Sequence, residues 1–226
     1  MTGHYLDRAV FHALNTRQGA IAHGGTRARR FHPEISPFAG AADDSDESLA
    51  ELAALVPAEG TVISARVGDQ PLPPGIVAEV VLPGVQMVAE TDTKPEGDFS
   101  FAELGDADVP EMVALAALTR PGPFLARTHH FGGYIGIRHE GKLVAMAGQR
   151  LQVPGYTEVS AVCTHPDFRG RGYGSFLLLT VAARIRARGE TPFLHTFASN
   201  TGAIRLYEQL GYVLRSPISV TVMRRA

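Results

Sequence analysis

The sequence predicts an α/β or α+β layer fold built around a mixed sheet. Short apolar stretches typical of strands alternate with longer stretches of helical periodicity, most clearly in the C-terminal half. Hydrophobic residues make up 45% of the 226 residues and charged residues 19%, and no low-complexity run interrupts them. This composition is typical of a globular chain with a sizeable core, in one or two compact units.

The N-terminal part contains short strand-like stretches and one clear helix. The segments "TVISARV" and "IVAEVVLPGVQMVAE" are predicted strands. The segment "DSDESLAELAALV" has apolar residues at helical spacing, with Ser45 or Asp46 as the N-cap. The polar segment "TDTKPEGDFS" follows and marks a boundary. We therefore expect an N-terminal region of residues 1–95 and a second region of residues 96–226.

The second region has a clearer order of elements. "FSFAEL" is a predicted strand, "DADVPEMVALAAL" is a helix with Pro110 in its first turn, and a hairpin turns at Glu140 and Gly141. "TEVSAVCTH" is the next strand, followed by the helix "GSFLLLTVAARIRARG" that ends at Gly189. After the strand "TPFLHTF", Asn200 caps the helix "NTGAIRLYEQLG", and the chain ends in a strand.

Charge and composition exclude several classes of function. The net charge of −2 and the pI of about 6.5 provide no basic field for nucleic acid or for an anionic membrane. The N-terminus lacks an apolar signal core and no stretch is long enough to span a bilayer, which indicates a cytoplasmic location. The partner is expected to be a small molecule or a peptide, and the sequence carries no signal for an oligomeric state.

Disulfide and metal chemistry are not expected. Cys163 is the single cysteine, so the chain has no partner for an internal disulfide and too few thiolates for a zinc cluster. The histidines of the C-terminal region lack the H-x-x-x-H or carboxylate-linked spacing of metal sites. These histidines are His129, His130, His165 and His195.

A glycine-rich turn between a predicted strand and a predicted helix is the strongest functional signal. Glycine at positions 170, 172 and 174 removes the β-carbons that would keep phosphate oxygens away from the free N–H groups of a helix start. Arg169 and Arg171 add charge-assisted donors. The segment therefore predicts a phosphate site.

Three other interpretations of this turn are weaker. A nucleotide P-loop requires a lysine, which is missing here, and a dinucleotide-binding loop requires a glycine where Ser175 stands. Glu190 precedes the next strand, whereas a ribose-binding acid ends it. A turn without a ligand would not explain arginines interleaved with glycines.

"RGRGYG" resembles the pyrophosphate-binding signature of the GNAT superfamily of N-acetyltransferases. The wider segments "TEVSAVCTHPDFRGRGYG" and "NTGAIRLYEQLGY" resemble the strand-loop-helix unit of that family and its following helix. The resemblance covers about residues 99–223 and implies a mostly antiparallel sheet flanked by helices. For residues 1–95 the hypothesis is a degenerate copy of the same fold that covers the acceptor side.

The resemblance implies an acetyl-CoA-dependent N-acetyltransferase. Acetyl would pass directly to a primary amine of a small molecule, an amino acid or a peptide, in a ternary complex and through a tetrahedral intermediate. One alternative is a longer-chain or amino-acid N-acyltransferase. Another is a non-catalytic regulatory module that binds acyl-CoA.

Residue roles follow from the resemblance as well. Backbone groups near Val162 to Thr164 would contact the pantetheine arm and the thioester, the loop would hold the pyrophosphate, and Asn200 would contact the pantetheine arm or serve only as an N-cap. The implied cofactor-binding residues are Val162, Cys163, Thr164, Arg169, Gly170, Arg171, Gly172, Tyr173, Gly174 and Asn200.

Two residues are candidates for proton transfer. The resemblance implies that Tyr207 protonates the departing CoA thiolate, and the alternative is a core aromatic packed beside Ile204. It implies Glu158 as the general base, the alternatives being a rim carboxylate or a water molecule as base. Strand alternation places Glu158 on one face with Ser160 and Val162.

The opposite face of that strand would carry Val159, Ala161 and Cys163. We expect Cys163 to be a small buried hydrophobe and not a nucleophile. His195, on the strand "TPFLHTF", is a candidate to line the acceptor pocket.

Overall fold

The computed structural model describes residues 3–226. It contains five α-helices and eleven strands within this range. The helices are α1 (Ala9–Asn15), α2 (Asp46–Leu55), α3 (Val109–Thr119), α4 (Tyr173–Ala187) and α5 (Thr201–Gln209). The strands are β1 (Ala22–Gly24), β2 (Ala28–Phe31), β3 (Ala39–Ala41), β4 (Val62–Arg66), β5 (Ile76–Ala89), β6 (Ala102–Glu103), β7 (Ile135–His139), β8 (Lys142–Val153), β9 (Tyr156–Thr164), β10 (Thr191–Phe197) and β11 (Tyr212–Arg225).

An eight-stranded sheet is the centre of the molecule. Its strand order is β4-β11-β5-β10-β9-β8-β7-β6. Neighbouring strands are antiparallel except for β9 and β10, which run parallel. The predicted fold class, a mixed and mostly antiparallel sheet flanked by helices, is confirmed.

The sheet runs across the boundary expected near residue 95. Strand β5 precedes that boundary, yet it lies between β10 and β11 and pairs with both. Strand β4 pairs with the other edge of β11. Because backbone hydrogen bonds join the two regions on both sides of β11, residues 1–95 contribute strands to the sheet that carries the glycine-rich turn. The division into a region of residues 1–95 and a region of residues 96–226 stays a prediction.

Helices cover both faces of the large sheet. On one face α4 buries Leu177, Val181 and Ile185 against β7, β8 and β9. On the other face α1 and α3 pack against β8, with Leu14 and Met112 in the core. The small antiparallel sheet of β1, β2 and β3 packs against α2. No helix within residues 3–226 is both long enough and apolar enough to cross a bilayer.

Most local predictions are confirmed. Ser45 caps α2 by accepting a hydrogen bond from the Ser48 N–H, and the hairpin between β7 and β8 turns at Glu140 and Gly141 with positive φ angles of 49° and 78°. The strand predicted for "FSFAEL" is shorter, because only Ala102 and Glu103 pair with β7. Its two phenylalanine rings pack near the Phe176 ring of α4 instead.

Candidate active site

A gap between β9 and β10 opens a cleft in the sheet. The two strands pair only where residues 156–158 face residues 191–193, and beyond this point they diverge. A cleft of about 230 Å³ lies at the divergence. Its walls come from both strands, from β4, β5 and β11, and from the loop after α3. Four of its lining residues precede residue 95, namely Phe38, Ile63, Ala65 and Leu82.

A β-bulge distorts β9 beside this gap. Met146 of β8 faces Cys163, whereas Gly148 faces Ser160, so β9 carries one extra residue in this interval. Ala161 has a φ of 53°, a left-handed value that is uncommon for a residue with a β-carbon. The bulge interrupts the regular hydrogen bonding of β9 at the position expected to meet the thioester.

The bulge also overturns the predicted alternation of side chains. Val159 and Val162 both pack on the α4 side of the sheet, whereas Ala161 and Cys163 pack on the side of α1 and α3. The expectation that Val162 shares a face with Glu158, and Val159 with Ala161, is therefore wrong. The physical reason is that one inserted residue shifts the two-residue period of the strand.

The glycine-rich turn leads from β9 into the start of α4. Gly170 and Gly172 have φ angles of 74° and 82°, which glycine adopts without steric cost, and Gly172 is the N-cap of α4. The first N–H groups of a helix have no intrahelical partner, so this end of α4 offers donors to an anion. Arg169 and Arg171 are exposed beside them, and the Arg171 guanidinium lies over the Phe168 ring.

The space around these glycines fits a ligand. A β-carbon at Gly170 would have no neighbour within 4 Å, and β-carbons at Gly172 and Gly174 would make only ordinary contacts with Phe99 or Thr164. Internal packing therefore does not require glycine at position 174, where the backbone is helical. An open cradle between β9 and the start of α4, next to Tyr173, is consistent with a bound phosphate.

The residues of α5 that were expected to meet the cofactor line the cleft. Asn200 accepts a hydrogen bond from the Ala203 N–H, which confirms its role as N-cap, and its side-chain amide donates to Thr196. Tyr207 also lines the cleft and packs partly against the core that contains Tyr212. Burial raises the pKa of the Tyr207 phenol, so its hydroxyl stays protonated at neutral pH.

Glu158 is fully buried and has no free lone pair. Arg150 donates to both carboxylate oxygens, over 2.8 and 2.5 Å, and the Leu151 N–H and His195 donate one further bond each. These four bonds use all the acceptor sites of a carboxylate. Burial alone would raise the pKa of Glu158, but the charge and hydrogen bonds of Arg150 outweigh it and hold this pKa well below its usual range. The alternative of a rim carboxylate is wrong, because the side chain is 0% exposed.

His195 lines the cleft, and its orientation is determined by its neighbours; its place in an acceptor pocket stays a prediction. Its Nδ1 is 2.8 Å from a Glu158 oxygen, and its Nε2 is 2.8 Å from the amide nitrogen of Gln86. The Gln86 amide donates to the Leu6 carbonyl and its oxygen accepts from Arg215, so its nitrogen faces the histidine. Since an amide nitrogen only donates, His195 Nε2 is the acceptor in this contact, and Nδ1 donates to Glu158.

The remaining candidates take no visible part in the cleft. The Cys163 side chain is buried, as expected, and burial raises the pKa of its thiol to about 11, so it remains a neutral thiol. His129 donates from Nε2 to an Asp106 carboxylate oxygen over 2.8 Å, and His130 lies beside them. This group could approach a metal ion, but Asp106 and His130 are exposed and an ordinary hydrogen bond explains the contact. The absence of a metal stays a prediction.

Sequence reasoning missed Arg150 and Gln86, which fix Glu158 and His195. One signal was present for Arg150: it lies on β8 and Glu158 on β9, at nearby positions on either side of the "VPGY" turn. Opposite charges at such positions indicate a cross-strand ion pair. No local signal pointed to Gln86, because its strand joins the sheet from a distant part of the chain.

Comparisons with known proteins agree with this geometry. The family described as FR47-like protein matches residues 134–220, which run from β7 into β11. A crystal structure of a Novosphingobium aromaticivorans protein assigned to the GNAT family of acetyltransferases is 38% identical. The alignment covers 99% of this chain and 100% of that chain, with a TM-score of 0.92.

Two further relatives are more distant. A GCN5-related N-acetyltransferase from Kribbella flavida is 18% identical over 94% of this chain and 95% of its own, with a TM-score of 0.64, and this likeness concerns the fold alone. A mycothiol acetyltransferase of Thermobispora bispora is 43% identical over 56 residues. That match spans 24% of this chain and 19% of the relative.

Proposed function

This chain belongs to the GNAT family of acetyltransferases, and on that premise we propose that it transfers acetyl from acetyl-CoA directly to a primary amine. The observation that carries the proposal is that β9, which diverges from β10 at the cleft, leads directly into the glycine-rich turn at the start of α4. An anion site and an open strand edge there lie on the same segment of chain. The proposal includes the cytoplasmic location and the small-molecule or peptide acceptor expected from the sequence.

The residues present fit acetyl-CoA, which would supply an acetyl group activated as a thioester. The N–H groups at the start of α4, together with Arg169 and Arg171, would hold the pyrophosphate. The diverging edges of β9 and β10 would pair with the amides of the pantetheine arm, because they are not paired with each other. Asn200, which lines the cleft, would contact the same arm.

The bulge in β9 would stabilise charge on the reacting carbonyl. Val162 follows Ala161 in the distorted segment and lines the cleft. A backbone N–H that is aimed into a cleft stabilises developing negative charge without reorganisation during the reaction. We assign this role to the N–H groups near Val162 to Thr164.

Tyr207 would act as the general acid. As the amine nitrogen bonds to the carbonyl carbon and the carbon–sulfur bond breaks, the phenol would give its proton to the sulfur and recover a proton from solvent. Burial favours the protonated phenol. A phenol in this form is a competent donor to a thiolate.

The proton of the amine would pass to water. The lone pairs of Glu158 are occupied by Arg150, the Leu151 N–H and His195, and the free nitrogen of His195 accepts from Gln86. Neither side chain has a site at which to receive a proton without breaking this network. We therefore propose Glu158 as a positioning residue that holds Arg150 and His195 in the cleft wall.

The test is release of free CoA from acetyl-CoA in the presence of primary amines, amino acids and peptides, with identification of the acetylated product. We expect amine-dependent release, together with one acetyl-CoA bound per chain by calorimetry. Binding without transfer to any amine would identify a regulatory acyl-CoA-binding module. Faster transfer from acyl-CoA esters with longer acyl chains would identify a longer-chain N-acyltransferase.

A further inference from the structure

The acceptor side of the cleft is predominantly apolar. This inference rests on the proposed function and concerns which amine the cleft takes. Much of the cleft wall is built from side chains of β4, β5 and β11 together with Phe38. These apolar lining residues are Phe38, Ile63, Ala65, Leu82, Ile218, Val220 and Val222. A wall of this kind favours an acceptor with an apolar body.

The charged residues that line the cleft are cationic. They are Arg120 and Arg150, and none of the lining residues among positions 3–226 carries a carboxylate. The Arg150 charge is balanced by Glu158 behind the wall, where the Arg150 side chain is only 13% exposed. A polyamine or a lysine-rich peptide would have to bring ammonium groups into this wall without an anionic partner, which is unfavourable.

Arg120 differs from Arg150 in having its charge available. Within the described part of the chain its guanidinium makes no hydrogen bond or ion pair, and the residue is exposed at the edge of the cleft. Its backbone ends α3 in the left-handed conformation, with a φ of 52°, where glycine is ordinarily favoured. An arginine at such a position incurs backbone strain, and strained residues of this type cluster at ligand sites.

The loop after Arg120 keeps this cation at the cleft. Pro121 and Pro123 follow it on either side of Gly122, and all three residues line the cleft with it. Proline restricts the backbone, so the mouth of the cleft at Arg120 has limited freedom. The loop thus fixes the backbone from which the Arg120 side chain extends, at one end of an apolar wall.

We infer that the acceptor is an apolar amine that also carries a carboxylate, such as a hydrophobic amino acid or a short peptide with a free carboxylate. Arg120 binds the carboxylate through charge-assisted hydrogen bonds, and the apolar wall covers the rest of the acceptor. The cationic lining also disfavours an ammonium ion relative to a neutral amine. The cleft therefore selects the protonation state that reacts, which fits a site without a free base.

Matched amines test this inference. Leucine is compared with 3-methylbutylamine, and phenylalanine with 2-phenylethylamine, because each pair differs only by the carboxylate; spermidine represents polycations. The value of kcat/KM is measured at equal concentration of free amine, since the members of a pair differ in pKa. We expect each amino acid to exceed its decarboxylated partner by about tenfold or more, and spermidine to be the poorest acceptor.

Arg120→Met should abolish this preference and leave the Kd of acetyl-CoA unchanged. Arg120→Gly is a second variant that relieves the left-handed backbone, so it removes the charge without endangering the fold. Arg27→Met, at an exposed arginine between β1 and β2, is the matched control and should keep the preference.

Equal or better use of the decarboxylated amines or of spermidine would overturn the inference, as would a preference that survives in both Arg120 variants. In either case the proposed function would stand, because amines would still be acetylated. If no amine were acetylated while acetyl-CoA still bound, the proposed function itself would fail, and this inference with it.

Discussion

At the scale of single residues, Tyr207 provides the sharpest test of whether a side chain takes part in catalysis or only in binding. Tyr207→Phe keeps the ring that packs in the cleft wall and removes only the hydroxyl. We expect kcat to fall by ~10²–10⁴-fold, the range of a positioned general acid, and nearer its lower end because a thiolate leaves readily. The Kd of acetyl-CoA and the melting temperature should hardly change.

Steady-state kinetics and calorimetry on the same variant separate the alternatives for Tyr207. An unchanged kcat would make it a core aromatic, as the packing beside Ile204 would also allow. Weaker binding with an unchanged kcat would make it a cofactor contact instead of an acid.

Glu158 is expected to affect stability more than chemistry. Glu158→Gln leaves the buried Arg150 without its ion-pair partner, and removing one member of such a pair costs about 3–5 kcal/mol. Urea unfolding should show this loss. The double variant Glu158→Leu with Arg150→Met removes both charges and should recover much of the stability. A stable Glu158→Gln protein that has lost its turnover would instead indicate a catalytic base.

The same carboxylate predicts a dependence of stability on pH. The pKa of Glu158 is lower in the folded chain than the ordinary value of about 4.3 in the unfolded chain, so its contribution is fully present above that value. The contribution is lost as the pH falls towards the folded pKa. Between pH 5 and pH 3 the free energy of unfolding should therefore drop more steeply in the wild type than in the double variant. Equal slopes of unfolding free energy against pH in the two proteins would contradict a stabilising role for the ion pair.

At the scale of elements, a control at the other end of α4 distinguishes the ligand-binding role of the turn into α4 from the effect of backbone strain. Gly172 precedes α4 with a φ of 82°, and Gly189 follows it with a φ of 76°, and neither has a close neighbour at its β-carbon position. Gly172→Leu and Gly189→Leu should each lose roughly 1–2 kcal/mol of stability, because both positions are left-handed.

Acetyl-CoA should distinguish the two glycine variants. Only Gly172→Leu adds a side chain at the N-terminal end of α4, where the free N–H groups are, so only this variant should lose binding in calorimetry. Equal affinities of the two variants for acetyl-CoA would show that this turn does not bind the phosphates.

Elements whose signals are local were predictable from the sequence. Helices α4 and α5 follow from apolar periodicity, from Asn200 as a cap and from the glycines that end them. The bulge at Ala161 was not predictable, because it depends on the register between β8 and β9 and leaves no pattern along β9 itself. The error in the predicted strand faces follows directly from that bulge.

The path of the N-terminal strands is a property of the whole molecule, and it predicts the fate of a truncated chain. Residues 96–226 alone would lack β5, which bridges β10 and β11, and β4, which covers the outer edge of β11. We expect this fragment to be poorly soluble and inactive, with circular dichroism showing loss of ordered sheet. Adding residues 60–95 back to the fragment should improve its solubility, since these residues contain both strands. A folded and fully active fragment would contradict the account.

The sequence could not predict this path for a physical reason. Pairing of β5 with β10 and β11 joins residues more than a hundred positions apart, for example Met87 with Leu194 and Val80 with Val222. Alternating apolar residues identify a strand, but they do not identify its neighbours. The apolar acceptor wall depends on the same pairings, so local sequence patterns could not identify its residues. The glycine-rich turn is a local pattern and could be identified.

The central claim is that one site unites the two regions: the C-terminal region holds acetyl-CoA, and strands of both regions form the acceptor wall. A crystal structure with CoA and an acetylated amine bound tests it most directly. We expect the pyrophosphate at the start of α4, the thiol between β9 and β10 near Tyr207, and the acetylated amine against Phe38 and Ile63. CoA bound away from the α4 N-terminus, or an amine outside this cleft, would contradict the claim.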